Sequence, residues 1–542
     1  MTENKENSES LRGRLRRAFA GERPPLGITL VSGAIAAAMV FPLTWLFLEA
    51  VTVEPGRARS LLFRSEAREI LVNSLLLMGL VTVFSIMLGV PLAYLTVRTN
   101  LPFRRFFTVA VALPLVVPSY VGAFAFVSAF GPYGEFQTLL APLGVERVPE
   151  IYGFRGATIV ITLYTYPYVY LTTRAALLSF DDSLIDAART LNHGRLASFR
   201  RVTLPQVRPA IAAGSLLAAL YAISDFGTPA IMQLPVFTRQ IYVENRLANV
   251  EYSALLSLQL ISVVLVVLAL EWWVRSEGTG SSDGSGRATR RIDLGYLRWP
   301  ATLFPIGVLT FAIVVPVWIL LRWMQTGDNS FRTDLAFEWT YALNSLSLAL
   351  AAATVAVVLA IPVAYFAANH ESRLALLFER ATYVGFAVPG VVLGIALDDF
   401  GTGYAPALYQ TVPLLVFAYV VRFLPQAVGS TRTTLLQIDS HLVEAGRVLG
   451  ESSFSAFRRI TLPLARSGIV AGAALVFLTT MKELPATLIL RPTGIETLAT
   501  QIWRVQESAL YQHAAVPALL LLGVSALSMV VLLAQEGGEE GL

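Results

Sequence analysis

Three charged side chains stand inside otherwise apolar segments of this sequence. Asp225 lies in one such segment, and the adjacent Lys482 and Glu483 lie in another. A charge well inside a bilayer costs a few kcal/mol, so these side chains are expected to face the protein interior and not lipid. Carboxylates in that position could bind a cation moving along a path. The structural alternative is that Lys482 and Glu483 form a buried pair with other helices.

Several other chemistries are excluded by residue types. The chain contains no cysteine, which removes disulfides, thiolate catalysis and cysteine metal sites. Neither lysine, Lys5 or Lys482, stands in the glycine-rich pattern of a P-loop, so any ATPase must come from a partner. No two of the four histidines have the spacing of metal ligands. No nucleophile stands with a base, so the sequence does not indicate a membrane enzyme and implies no cofactor in this chain.

The composition indicates an all-α integral membrane protein. The 542 residues are 55% hydrophobic and only 14% charged, and the mean hydropathy is +0.62. Its arginines stand in short blocks between apolar runs, which argues against nucleic-acid binding. About 20 apolar residues span a bilayer as a helix. Twelve spans are predicted: Ile28–Val51, Ile70–Val97, Phe107–Phe130, Ala157–Leu178, Pro209–Leu234, Ala254–Val274, Thr302–Met324, Tyr341–Ala367, Leu377–Leu397, Ala407–Leu424, Gly468–Leu490 and Ala514–Leu533.

The loops between these spans predict the orientation and the domains. Lys and Arg concentrate in alternate loops. This predicts a multi-pass protein of the cell membrane with both termini on the cytoplasmic side. The Gly- and Ser-rich segment 275–298 predicts a flexible cytoplasmic linker. The predicted parts are therefore a tail 1–27, a six-helix repeat 28–274, the linker, a second repeat 299–535 and an acidic tail 536–542.

The two halves resemble each other. Short motifs recur at an offset of 344 − 73 = 271: Asn73–Leu75 with Asn344–Leu346, Pro91–Tyr94 with Pro362–Tyr365, and Val117–Pro118 with Val388–Pro389. Further on, 186–205 aligns without a gap on 444–463, at an offset of 444 − 186 = 258, and Asp225 aligns with Glu483 at the same offset. Because six spans return the chain to the same side, the two repeats are parallel.

The cytoplasmic loops 181–205 and 439–463 match better than the spans around them, although such loops usually diverge. Both carry an acid with two small residues, an apolar-aromatic stretch and then Leu-Pro. This pattern resembles the EAA loop of ABC importer permeases, which implies the type I permease fold and a short helix that docks on an ATPase subunit. An acid suits the positive end of such a helix, and the phenylalanine suits a pocket on the partner. The residues so implied are Asp186, Ala187, Ala188, Phe199, Leu204, Pro205, Glu444, Ala445, Gly446, Gly450, Phe457, Leu462 and Pro463. Asn192 replaces the turn glycine that Gly450 supplies in the second loop.

The stretches around Asp225 and Glu483 are similar to those of fused twelve-span permeases of iron(III) ABC importers. The resemblance implies a ferric-ion importer with an extracytoplasmic binding protein, two ATPase copies, and ATP and Mg2+ on those ATPases. The same architecture would also suit thiamine, phosphonates or polyamines. A secondary transporter of the major-facilitator type also has twelve spans, but it needs protonatable midplane groups and no paired docking loops. Gly227, Pro229 and Pro485 are expected to break the helices beside the acids, which is tolerated where backbone lines a cavity or is buried in protein.

Overall fold

The computed structural model describes residues 25–131, 134–144, 148–179, 199–277, 291–326, 335–370, 372–508 and 510–536, and these contain helices and no strand. In the first half the helices are α1 Leu26–Thr52, α2 Pro55–Leu62, α3 Ser65–Arg98, α4 Arg104–Ala110, α5 Ser119–Phe130, α6 Glu135–Leu140, α7 Gly153–Leu178, α8 Leu204–Ser224, α9 Gly227–Ile231, α10 Phe237–Arg246 and α11 Val250–Glu277. In the second half they are α12 Arg298–Leu309, α13 Val315–Thr326, α14 Trp339–Asn369, α15 Arg373–Ala387, α16 Gly390–Gly403, α17 Val412–Leu436, α18 Ser440–Val448, α19 Ser453–Ala456, α20 Leu462–Leu464, α21 Arg466–Met481, α22 Pro485–Leu490, α23 Leu498–Glu507 and α24 Ala515–Glu536.

The described helices agree with the prediction of a multi-span membrane protein. Eight are long and apolar enough to cross a membrane, or up to eleven if each of three bent pairs is one span. These eleven correspond to eleven of the twelve predicted spans. The remaining predicted span is α7, a helix of 26 residues that contains several Thr and Tyr and is not among the candidates.

Two of the predicted spans break beside their acids, and the predicted spans Phe107–Phe130 and Leu377–Leu397 are also interrupted, at the bends described below. The span predicted as Pro209–Leu234 ends at Ser224, and the one predicted as Gly468–Leu490 is interrupted between Met481 and Pro485. The prolines and glycine named from the sequence lie in the short helices that follow, α9 and α22. The expected breaks are therefore confirmed, and the predicted boundaries of both spans are corrected.

The repeated Val-Pro motifs produce matched bends. The chain turns by 91° between the helical segments 104–116 and 119–130, and by 100° between α15 and α16. Val117 and Val388 have extended backbones, with ψ values of 125° and 122°. Proline disfavours the helical conformation of the residue before it, and it is itself well suited to begin the next helix. Each bend places the start of α5 or α16 within the protein interior.

Packing divides the chain differently from the sequence repeat. One compact unit comprises 1–48, 343–495 and 530–542, and the other comprises 49–342 and 496–529. In the first unit α1 packs on second-half helices, with Trp45 Nε1 donating to Asp399 at 3.0 Å. In the second unit α13 packs on first-half helices, with the rings of Trp323 and Phe124 5.2 Å apart. Each unit thus contains the first helix of the opposite half, while the repeat boundaries 28–274 and 299–535 stay a prediction.

Candidate functional site

The acids Asp225 and Glu483 stand at the helix breaks of the two units. Asp225 follows the last residue of α8, and Glu483 lies between α21 and α22. In the first half α8 leads from the loop to Asp225 as one helix. In the second half the path from the loop to Glu483 bends by 66° between the segments 453–464 and 466–481, so that α20 and α21 are separate helices. At about 1.5 Å per residue, α8 extends for roughly 30 Å.

Asp225 is held by hydroxyl groups. The Ser119 hydroxyl, at the start of α5, lies 3.0 Å from each carboxylate oxygen of Asp225. Thr238 donates to the Asp225 backbone carbonyl at 2.7 Å, which fixes the break against α10. Among the residues that the structure describes, no basic side chain forms an ion pair with Asp225, and its side chain is half-buried. Asp225 therefore has oxygen contacts and no compensating positive charge in the described part of the chain.

Glu483 has a different environment. Arg422 of α17 donates to Glu483 Oε1 at 2.7 Å, and the amides of Ala486 and Thr487 donate to the two carboxylate oxygens at 3.0 Å each. The Thr487 hydroxyl is 2.7 Å from Oε2 and 2.8 Å from the Tyr419 hydroxyl, which extends the network into α17. The Glu483 side chain is only 1% exposed, and that of Arg422 is 20% exposed. Glu483 is thus a buried and neutralised carboxylate that caps α22.

Two substitutions between the repeats explain this asymmetry. At the offset of 271 Ser119 aligns with Gly390, and at the offset of 258 Tyr164 aligns with Arg422. A Cβ at Gly390 would collide with the Arg422 guanidinium and with Glu483 Oε1. The missing side chain at Gly390 therefore makes room for the Arg422–Glu483 pair. In the first half Ser119 stands at the position equivalent to Gly390, and its hydroxyl forms the hydrogen bonds with the Asp225 carboxylate.

Arg422 was not among the residues predicted from the sequence. It lies inside the predicted span Ala407–Leu424, and a charge there is the same signal that identified Asp225 and Glu483. The suggested buried pairing of Glu483 is present, and its basic partner is on α17. Lys482 directly follows α21 as its C-cap residue, and it is half-buried. Within the described ranges, no three His, Cys, Asp or Glu side chains are grouped as metal ligands.

The second loop is built from two short helices around a glycine turn. Asp439 caps α18 by accepting from the His441 amide at 2.9 Å, so the acid at the helix start is Asp439. Glu444 lies inside α18 and is exposed, which corrects its expected place at the positive end. Gly450 has φ +93°, a conformation that favours glycine, and it turns the chain toward α19. The small size of Gly446 allows Ile460 to pack closely on α18.

Polar contacts hold the far side of this turn. Glu451 pairs with Arg459 at 2.7 Å. A hydrogen bond with the Ser455 side chain, assisted by the charge of Arg459, lowers the pKa of the Glu451 carboxyl. The turn is therefore closed by an ionised carboxylate near neutral pH, and its two helices are held together.

Exposed apolar side chains mark the outer surface of the second loop. Val448, Leu449 and Phe454 are 87%, 86% and 74% exposed. Phe457, which the loop pattern implied as the aromatic for the partner, packs instead on Tyr365 with ring centroids 5.1 Å apart. The free aromatic of this loop is thus Phe454. Exposed apolar groups in one patch are typical of protein interaction sites.

Much of the first loop lies outside the described residues. This applies to Asp186, Ala187 and Ala188, and the structure describes the backbone of Phe199 but not its side chain. The described ends of the two loops match. A π-helical turn at Phe199–Thr203 or Phe457–Thr461 leads in each case directly into Leu-Pro, namely Leu204–Pro205 or Leu462–Pro463. The repeat seen in the sequence is therefore also a repeat of local structure.

The helical repeats, the acids at paired breaks and the matched loops together define a membrane permease. Residues 85–361 and 356–536 each match the family of binding-protein-dependent transport system inner membrane components. The chain belongs to this family, and it contains the family domain twice.

Individual relatives agree with this assignment. The chain is 32% identical over 516 residues to the Fe(3+)-transport system permease protein FbpB 2 of Haemophilus influenzae, covering 94% of this chain and 98% of the relative. It is 23% identical to the ferric transport system permease protein FbpB of Actinobacillus pleuropneumoniae, covering 82% and 68%. Among solved structures, a bacterial ABC transporter involved in alginate import is similar over 50% of this chain and 98% of that chain, with 18% identity and a TM-score of 0.39.

Proposed function

We propose that this chain is the membrane permease of an ATP-driven importer of ferric iron, which an extracytoplasmic binding protein delivers. The observation that carries the cargo assignment is the 32% identity to a ferric permease over 98% of that protein. In this proposal both termini are cytoplasmic, and two ATPase copies that bind ATP and Mg2+ dock under loops 181–205 and 439–463. The chain itself supplies the path and has no P-loop lysine.

The connection between loops and acids supports a mechanism. When the ATPases close, they move the docked loops, and each loop leads to the helix that ends at one acid, directly for α8 and through a 66° bend for α21. At each Leu-Pro junction the proline lies in the first turn of the helix, where a backbone N–H would have no partner within the helix. Because proline has no N–H, the junction leaves no unsatisfied amide at that position. Movement of α8 and α21 shifts the two breaks together and opens the path on alternate sides.

Among the candidate path residues Asp225, Lys482 and Glu483, the contacts favour Asp225 as the group that meets the cargo. Arg422 already neutralises Glu483, whereas the Asp225 carboxylate has neutral hydrogen-bond partners in the described residues, namely Ser119, Gly227 and Thr228. A hard trivalent cation prefers oxygen ligands. A single carboxylate without a basic partner attracts such a cation. Because it supplies only one charged ligand, it binds the cation weakly enough for the cation to move on along the path. Lys482 stays a candidate path residue that borders the second break.

The cargo assignment predicts iron-dependent uptake. Cells that lack this gene are expected to lose uptake of radiolabelled ferric iron at limiting iron, and ATP depletion of cells that carry the gene should have the same effect. Re-expression of the chain should restore uptake. Unchanged iron uptake in the deletion strain would remove iron from the proposal, and thiamine, phosphonate and polyamine uptake in the same strains would then identify the cargo.

Asp225→Asn is expected to lower the initial rate of iron uptake by roughly tenfold or more, because it removes the charge that contacts the cargo. Asparagine has nearly the same shape and can still accept from Ser119, so the break is expected to keep its structure. The measurement is uptake in cells, together with ATPase co-purification and thermal stability of the purified permease. Uptake at the wild-type rate would return Asp225 to a structural role. The matched control is Ser119→Ala, which removes the hydroxyl and keeps the charge.

A further inference from the structure

Four arginines converge at one end of the second compact unit. Arg104 and Arg105 begin α4, Arg174 lies near the end of α7, and Arg291 lies just before α12. The Tyr170 hydroxyl donates to the Thr108 carbonyl at 3.0 Å, so α7 contacts α4 one helical turn from Arg174 and one turn from Arg104. Burial of Arg104 and the like charges of Arg291, Arg105 and Arg174 disfavour its positive charge. None of the four forms an ion pair with a carboxylate in the described part of the chain. The cluster is therefore a concentrated positive site that would be stabilised by an anion.

The fold holds these arginines together by specific contacts. Ile292 donates to the Arg98 carbonyl at 2.7 Å, and the Asn100 amide donates to the Ile292 carbonyl at 3.2 Å. The Arg98 guanidinium in turn donates to the Leu177 carbonyl at 3.1 Å, which ties the end of α3 to the end of α7. Asp293, two residues after Arg291, accepts from Asn100 at 2.6 Å and from the Gly295 amide at 2.9 Å. These contacts bring together the backbone segments that carry the four arginines, of which Arg105 and Arg291 have exposed side chains.

Exposed apolar side chains extend away from the cluster along two helices. Phe106 and Val109 are exposed on α4, and Trp299 and Leu303 are exposed on α12. The opposite faces of these helices pack into one core, in which Phe107 and Val308 are buried. Arg298 lies 5.6 Å from the Trp299 ring, an arrangement typical of the membrane interface. A lipid with an anionic headgroup matches this combination, since its phosphate can meet the arginines while its chains lie on the apolar faces.

We propose that Arg104, Arg105, Arg174 and Arg291 form a binding site for the phosphate headgroup of an anionic phospholipid, with its acyl chains along α4 and α12. The predicted orientation places this end on the cytoplasmic side, where anionic lipid attracts basic residues. The bound lipid would hold together the end of α3, the start of α4 and the entry to α12. The site does not depend on the identity of the cargo.

The test compares lipid retained by the purified full-length permease. The variant R104Q/R105Q/R291Q and the unaltered chain are reconstituted in nanodiscs of phosphatidylcholine, with or without phosphatidylglycerol or cardiolipin. Retained phospholipid is counted by native mass spectrometry after release into detergent. We expect the variant to bind anionic lipid at least roughly tenfold more weakly, with retention of phosphatidylcholine unchanged. Inorganic phosphate at the same concentration is expected not to displace the lipid, since it lacks the acyl chains.

Two further variants make the result decisive. R104K/R105K/R291K keeps the charge and is expected to retain anionic lipid, which separates loss of binding from loss of fold. R59Q/R68Q/R155Q removes the same charge from exposed arginines elsewhere and is expected to bind like the unaltered chain. Retention of anionic lipid by the glutamine variant at the unaltered level would overturn the proposal. The proposal would also be overturned if the glutamine variant retained lipid at the unaltered level and no longer co-purified with the ATPase. That result would assign the arginine cluster to ATPase binding.

Discussion

Placing aspartate at both Leu449 and Phe454 is expected to prevent ATPase docking and to abolish uptake. These two side chains are 86% and 74% exposed, on a loop whose backbone is fixed by the Gly450 turn and the Glu451–Arg459 pair. Apolar side chains that become fully buried in a partner often contribute 2 kcal/mol or more each, which corresponds to roughly 30-fold in affinity. A charge at that position must also be desolvated, so the double variant is expected to lose binding altogether.

The measurement is the amount of ATPase that co-purifies with the detergent-solubilised permease, followed by uptake in cells. Ser440→Asp provides a matched control, since it adds a charge at an exposed side chain of the same loop that is not among the implied docking residues, and it is expected to retain the ATPase. Phe457→Ala is the informative comparison because Phe457 packs on Tyr365 inside the chain. Phe457→Ala is expected to lower the thermal stability of the permease and to have a smaller effect on the amount of ATPase that co-purifies. If Phe457→Ala loses the ATPase while the double aspartate variant retains it, Phe457 is the docking residue that the loop resemblance implies.

Arg422→Met is expected to destabilise the permease by about 3–5 kcal/mol, because it leaves the Glu483 carboxylate buried without its positive partner. Glu483 is 1% exposed and has no access to water that could compensate. The double variant Arg422→Met/Glu483→Gln removes both charges together and is expected to recover most of that loss. Thermal unfolding of the purified protein, with all four members of the cycle, gives the coupling energy directly.

Gly390→Ala tests the same pair without changing either charge. The added methyl group would collide with the Arg422 guanidinium and Glu483 Oε1, so it is expected to separate them and to lower stability as Arg422→Met does. Additive effects in the Arg422–Glu483 cycle would show that the two side chains do not interact in the folded protein. In that case Glu483 would return to the set of path residues beside Asp225.

The asymmetry between the two acids has a consequence for function. A sequence comparison of the repeats treats Asp225 and Glu483 as equivalent, and symmetric path residues would be the simple expectation. The structure distinguishes them, since a serine hydroxyl contacts one carboxylate and a guanidinium neutralises the other. We therefore expect charge removal at Asp225 to affect transport, and disruption at Glu483 to affect folding first.

The sequence by itself determined the features that depend on local composition. The apolar spans follow from the cost of transferring each segment into lipid, and the breaks beside Asp225 and Glu483 follow from prolines and a glycine that lie next to them in the chain. The turn at Gly450 and the matched Val-Pro bends are local in the same sense. The repeat and the loop resemblance needed only a comparison of the chain with itself and with a known pattern.

Only the tertiary structure decided which distant side chains meet. Arg422 and Glu483 are 61 residues apart, and their contact depends on the space at Gly390, on a third helix. Neither hydropathy nor periodicity contains that information, because both describe one segment at a time. The same limit applies to Phe457, whose partner Tyr365 is on α14. It also applies to α1, because its apolar composition does not indicate whether it packs on the first or the second half. The four arginines likewise belong to segments far apart in the chain, and only packing of their helices brings their charges together.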